Sequence, residues 1–449
     1  MNYLDYKDLL VTPILLIIIY SVTYLIKNSS GNVQINKYLI PGLTVKIFGA
    51  VFSVLIYEFY YGGGDMTIYF KDGTTMFNIL RTDPIAGIKL LYQPAKHIDS
   101  DTFQYTPYLH YWDQAGGYLV GKFVAIFSIL TFNTYTSVAV LFALLSFTGI
   151  WAMYITLIKI YPALDREFAI AVLFIPSVFF WGSGILKDTV TLGCLGWLTY
   201  ACYHLFIIRS RIFLSIGLIL LTGWLILSIK GYIVLAFIPG LVFWIFLTYT
   251  SRLTNDFVRF IIKPLIFAVS FLIGILLMNS VGASLTRFST GNFVEIAETY
   301  QFSHTNWEGA DEGSTYTLGE FSPTTLGLIR VFPAAVNVTF FRPYLWEVKN
   351  PVMLLAALES LALFIFFLYV LIKAGPLRFF AEFYNNPLVF FCMIFSILFA
   401  FAVGFSAYNF GNLVRYKIPC VPFFTIGLFV IYHETIRKRK VNPTIDENI

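Results

Sequence analysis

Charge is what this sequence has least of. Asp, Glu, Lys and Arg together make up 12% of its 449 residues, against about 25% in a soluble chain. So little polar surface cannot cover domains of ordinary size in water, which excludes a soluble Rossmann-type or barrel enzyme. Cysteine is scarce too. The four present are Cys194, Cys202, Cys392 and Cys420, all in or beside apolar runs and none in CxxC spacing. That excludes a disulfide framework and offers no thiolate metal site. No HExxH spacing, low-complexity tract or repeat of solenoid period occurs. The net charge of +5 is spread along the chain, with one dense basic run at Arg437-Lys438-Arg439-Lys440. This excess is too small to point to nucleic acid.

Apolar surface is what the chain has in abundance. Hydrophobic residues make up 58% and aromatics 19%, with a mean hydropathy of +0.75. Runs of about 18 or more apolar residues, enough to cross a bilayer as helix, recur along the whole length. The fold class is therefore all-α: a polytopic membrane helix bundle, read as a single transmembrane domain over 1–449. About eleven transmembrane helices are predicted, at 9–26, 42–61, 136–159, 168–186, 188–208, 212–229, 231–250, 259–279, 351–372, 387–405 and 417–434. The first of these lacks a basic leader and a small-residue cleavage site, so it reads as a retained span.

The cations set the sidedness. With a cytoplasmic C-terminus, the inner connectors hold Lys27 and Lys37, Lys159 and Arg166, Arg209 and Arg211, Arg252, Arg259 and Lys263, then Lys373 and Arg378. A basic tail at 435–449 completes the pattern, as the positive-inside rule requires. The arrangement demands that the apolar stretch 118–132, too short to span, lie in-plane or re-entrant on the outer surface. Two long outer-face loops follow, 62–135 and 280–350, expected to bear in-plane helices. Loops of this length usually carry function.

Positive charge also stands where that rule would not put it. Lys187 and Lys230 fall at outer helix ends, Arg415 and Lys417 just before the last span, and Arg330 and Arg342 where the second loop returns to the membrane. Ionisable groups near a bilayer are costly and mark substrate pathways when they persist. Cations from several helices on one face suit a phosphate or diphosphate, with arginine adding bidentate geometry. The competing reading is interfacial snorkelling, or pairing with local acids such as Asp188 and Glu347.

The first outer loop opens with Tyr60-Tyr61-Gly62-Gly63-Gly64-Asp65-Met66-Thr67-Ile68-Tyr69-Phe70. Three glycines free the backbone as it leaves the membrane, so Asp65 can be held at the interface as a general base or cation ligand. A turn with a capping role is the plainer reading. Further acids in this loop are Asp72, Asp83, Asp99, Asp101 and Asp113. The second loop has Glu295, Glu298, Glu308, Asp311, Glu312 and Glu320 with no Lys or Arg among them, best read as solvated. His110 and His304 have no partner at zinc spacing, and no metal ligands are assigned.

An outer loop of GxxD type, with Tyr69 four residues beyond Asp65, resembles the first external loop of GT-C fold glycosyltransferases. Three further segments are similar to GT-C-like membrane proteins of bacterial polysaccharide loci. They are Phe174-Ile175-Pro176-Ser177-Val178-Phe179-Phe180-Trp181-Gly182-Ser183-Gly184-Ile185-Leu186-Lys187-Asp188, then Phe341-Arg342-Pro343-Tyr344-Leu345-Trp346-Glu347, and Asn409-Phe410-Gly411-Asn412-Leu413-Val414-Arg415-Tyr416-Lys417. The resemblance implies transfer of a sugar from a polyprenyl-phosphate-linked donor to a glycan, lipid or protein acceptor. Asp65 would act at the acceptor. Lys187, Arg342 and Arg415 would hold the lipid phosphate, with Tyr69, Asp188, Arg330, Trp346, Glu347 and Lys417 completing a substrate-binding set. Tyr344, Trp346 and Trp181 would line the lipid groove or stack on the sugar.

The acidic loop here follows the second predicted span, and the paired acid of many GT-C members is absent, which leaves use of a divalent cation open. The expected enzyme is an inverting glycosyltransferase of the cytoplasmic membrane, with its catalytic face outward. Two rivals stand beside it. An O-antigen polymerase or ligase would rely on outer arginines and lipid-diphosphate glycans. A lipid-linked saccharide transporter would need interrupted helices at matching positions, and the sequence shows neither such a pair nor an inverted repeat, which ranks it third.

Overall fold

The computed structural model describes residues 3–250, 314–319 and 325–438. The predicted span 259–279, most of the second loop with its acids and His304, Arg252, Arg259 and Lys263, and the end of the basic tail lie outside these residues. The described chain is helical. Its one β-type pairing is an isolated bridge between Thr315 and Asn409. Among the described residues, eight helices are long and apolar enough to cross a membrane, or nine if one bent pair counts as a single span. The chain is a multi-pass membrane protein.

Its contacts divide it into two compact units, Met1–Ala201 with Arg211–Lys230, and Cys202–Ser210 with Gly231–Ile449. In the first unit the long apolar helices are α1 (Tyr6–Ser29), α3 (Leu39–Leu55, continued by a wide turn to Tyr60) and α7 (Tyr135–Ile160). A short α2 (Val33–Asn36) joins α1 to α3. Later come α10 (Lys187–Cys202) and α11 (Ile212–Lys230).

Between α3 and α7 the first loop folds into three helices: α4 (Asp65–Thr82), α5 (Pro84–Tyr92) and α6 (Ala115–Thr131). Met66, Tyr69, Phe70, Gly73 and Met76 recur at helical spacing on the buried face of α4. Met76, Ile79, Leu90, Leu109 and Tyr118 form a small core that the loop builds for itself. Most of its acids have local work. Asp83 caps α5, accepting from Ala86 N at 3.2 Å ahead of Pro84, while Lys89 pairs with Asp99 at 3.2 Å and with Asp101.

The expected span 168–186 is not one helix. It runs as α8 (Asp165–Ala169) with a wide turn to Phe174, breaks at Ile175, and resumes as α9 (Pro176–Trp181). Pro176 has no N–H to donate and forces Ile175 into extended geometry, with ψ at 125°. Carbonyls left open at the end of so short a helix would be costly in a bilayer. Lys46, fully buried on α3, reaches across and donates to Val178 O at 3.4 Å and to Gly182 O, at the C-terminal end of α9. A lysine inside a span thus caps the carbonyl end of α9, where a cation is favourably placed.

In the second unit α12 (Tyr232–Thr250) precedes the undescribed segment. After it come α13 (Thr325–Phe341), α14 (Pro351–Ala374), α15 (Pro376–Asn385) and α16 (Pro387–Ala407). Asn350 and Asn386 cap α14 and α16 through Met353 N at 2.8 Å and Val389 N at 3.4 Å, each followed by proline at the first helical position. The last predicted span, 417–434, begins in a break. α17 (Phe410–Tyr416) and α18 (Cys420–Tyr432, continued to Arg437) meet at 62°.

Candidate functional site

The first unit gathers Asp65, Tyr69, Lys187 and Asp188, which the sequence places far apart. Gly62, Gly63 and Gly64 all have left-handed φ values, 64°, 134° and 135°, so the expected freeing of the backbone before Asp65 is what the chain uses. Thr67 closes the turn, its hydroxyl accepting from Gly64 N at 3.0 Å and donating to Gly64 O at 2.8 Å. Asp65 then sits in the first turn of α4, where the helix dipole favours a carboxylate. Tyr69, one turn on, is buried.

The centre of the cluster is a residue the sequence did not single out. Tyr111 donates from its hydroxyl to Asp65 Oδ1 at 3.1 Å, and its ring lies 4.7 Å from that of Tyr69. The Lys187 ammonium stands 5.3 Å from the Tyr111 ring centre and 5.8 Å from that of Tyr69, in cation–π range. Burial, and secondarily the charge of Asp65, hold the Tyr111 phenol well above its ordinary pKa, so it stays a donor. Asp188 Oδ1 receives Lys230 Nζ at 2.5 Å, joining the start of α10 to the end of α11. Both side chains are buried, at 0% and 9% exposure, so Lys230 is spent on Asp188 and not offered to solvent.

One signal in the sequence could have found Tyr111. Gly116-Gly117 opens α6, and a Cβ at Gly117 would lie 2.5 Å from Tyr111 Cγ. A Cβ at Gly116 would meet Lys187 Cε at 3.4 Å and Ile229 O at 3.1 Å. The two glycines open the seats of the tyrosine ring and the lysine stem.

In the second unit the expected phosphate ligands are engaged differently. Arg342 forks onto Glu347, with Nε at 3.0 and 3.1 Å from the two carboxylate oxygens and Nη2 bonded to Oε1. Glu347 also accepts Tyr344 N at 2.7 Å. The guanidinium lies against the rings of Phe410, Tyr316 and Tyr344 at 5.2, 5.7 and 5.8 Å. Lys417, in the α17–α18 break, is buried, donates to Ser360 Oγ at 2.9 Å and lies within electrostatic reach of Glu359. Ser360 in turn donates to Arg342 O at 3.1 Å.

Arg415 stands over the Tyr416 ring at 5.8 Å. Asn409, part of the motif resembling GT-C-like proteins, serves as the cap of α17, accepting from Gly411 N at 2.8 Å. Trp346 is 82% exposed and stacks on Tyr344 at 4.8 Å. Arg330 is exposed on α13 and joins neither group, and Trp181 is buried in the first unit. Among the described residues no group of three or more His, Cys, Asp or Glu side chains is arranged to hold a metal ion.

Compared with protein-family models, curated proteins and solved structures, the chain matches none of them.

Proposed function

We propose that this protein transfers a sugar from a polyprenyl-phosphate donor to an acceptor hydroxyl at the outer face of the cytoplasmic membrane, in the assembly of a cell-envelope polysaccharide or glycolipid. One observation carries the reading: Asp65 and Lys187 flank a single side chain, Tyr111. A carboxylate and an ammonium so placed can serve the two ends of one displacement. Asp65 takes the proton of the acceptor hydroxyl as its oxygen attacks the anomeric carbon. The bond from that carbon to the phosphate oxygen breaks, its electron pair passes to the phosphate, and Lys187 stabilises the growing charge. Asp65 returns the proton to water.

Lys187 carries the phosphate contact in this proposal because its ammonium stands over the ring of the tyrosine that bonds Asp65, whereas Arg342 is forked onto Glu347 in the other unit. The same ion pair weighs against a polymerase or ligase mechanism resting on Arg342. A transporter of lipid-linked saccharide is a second reading, favoured by one observation: each unit has an interrupted helix, broken at Ile175 in one and between α17 and α18 in the other.

The stereochemistry of the product separates these readings. The reconstituted protein, given polyprenyl-phosphate-linked sugars, is expected to form a glycosidic bond of inverted anomeric configuration, read by NMR of the released product. Retention would contradict a single displacement. Movement of saccharide across the vesicle with no new bond would favour transport.

A further inference from the structure

We propose that Tyr111 is the positioning residue of this site: its hydroxyl sets the plane of the Asp65 carboxylate, and Asp72 holds Tyr111 in place to do so. The inference rests on the reading of Asp65 as the base.

Tyr111 belongs to a stretch between α5 and α6 with little regular structure of its own. Such a segment would ordinarily leave a side chain loosely aimed. Here the buried Asp72 carboxylate accepts from two successive main-chain groups, His110 N at 2.9 Å and Tyr111 N at 2.8 Å. Two bonds from one carboxylate on α4 fix both peptides that lead into the tyrosine. The ring is fixed as well, by the seat at Gly117 on α6, the Tyr69 ring of α4 and the edge of His110 at 4.8 Å. Asp65 and Asp72 are seven residues apart on one helix, about two turns. One helix thus presents the base and also anchors the loop that orients it.

Tyrosine hydroxyls elsewhere in this loop end on groups with structural work, as Tyr105 does on Asp83, the cap of α5, at 3.2 Å. Tyr118, nearby on α6, does so at Leu90 O, 2.8 Å away. Tyr111 instead ends on a half-buried carboxylate at the mouth of α4, with a lysine ammonium over its ring. A bond from a neutral donor to a charged acceptor is among the stronger ones a side chain makes, and a base must be held in its productive geometry to act.

Two measurements on the full chain in nanodiscs test this. In the first, Tyr111→Phe keeps the ring in its seat and removes only the hydroxyl. The expected result is a fall in kcat of about 10- to 100-fold with the donor KM unchanged. Asp72→Asn, whose single amide oxygen can keep only one of the two main-chain bonds, should lose part of the activity, and Asp72→Ala, which loses both, should lose more. In the second, a fluorotyrosine is placed at position 111 alone. Its fluorine resonance should move in Asp65→Asn and stay put in Asp113→Asn, an exposed acid of the same loop.

An unmoved resonance in Asp65→Asn, or wild-type turnover by Tyr111→Phe, would overturn the positioning role. Loss of transfer in Asp65→Asn together with wild-type turnover in Tyr111→Phe overturns that role alone. Retention of transfer in Asp65→Asn overturns the base assignment itself.

Discussion

Asp65→Asn is expected to lower sugar transfer at least about 100-fold while leaving donor affinity close to wild type. Asparagine has nearly the shape of aspartate and can still accept the Tyr111 hydroxyl, so the turn built on Gly62, Gly63, Gly64 and Thr67 should persist. What disappears is the ability to take a proton. Because that transfer belongs to the transition state, the loss should fall on kcat and not on donor binding. A melting temperature within a few degrees of wild type would show that the effect is chemical. A rise in donor KM with unchanged kcat would instead make Asp65 a binding residue.

Lys230→Ala is expected to destabilise the protein by about 3–5 kcal/mol, the usual consequence of removing one partner from a buried ion pair. Asp188 is fully buried and Lys230 nearly so, and their 2.5 Å contact ties α10 to α11. Removing the ammonium leaves a carboxylate in low dielectric with its counter-charge gone. The double change Asp188→Asn with Lys230→Met removes both charges and should recover most of the lost stability. Thermal unfolding in detergent provides the comparison. Equal destabilisation by the single and double variants would show that the pair is held by packing alone. The pair also fixes the residue after Lys187, so the single variant should lose transfer through misplacement of that lysine.

The membrane class and most helices were legible because twenty-residue apolar runs leave few alternatives. Asp65 stood out because three glycines precede it, and their left-handed φ values bear out the freed backbone. The break within 168–186 was harder. Hydropathy averages across Pro176, and the lysine that caps the short helix after it, Lys46, lies 136 residues before the Gly182 carbonyl it meets, inside what reads as an ordinary span. The role of the outer cations was legible only as two alternatives. Lys230 and Arg342 stand out in sequence as cations awaiting an anion, and the competing reading, pairing with Asp188 and Glu347, is the one the structure bears out for both. One of these acids neighbours Lys187, whose ammonium stands over the ring of Tyr111. Tyr111 is one of 29 tyrosines, and its one trace in the sequence is the Gly116-Gly117 pair that opens α6. Only the long-range contacts made through Asp72 and Gly117 give it a role, and composition carries no trace of those.

The decisive measurement is single-turnover transfer from a polyprenyl-phosphate-linked sugar in proteoliposomes, comparing wild type, Lys187→Met and Arg342→Met at matched folded protein. If the reaction centre lies at Asp65 and Lys187, the Lys187 variant should lose about 100-fold or more in rate. The Arg342 variant, once corrected for any loss of folded protein, should retain most of it. Full activity in Lys187→Met with loss in Arg342→Met would contradict the assignment and move the phosphate site to the second unit.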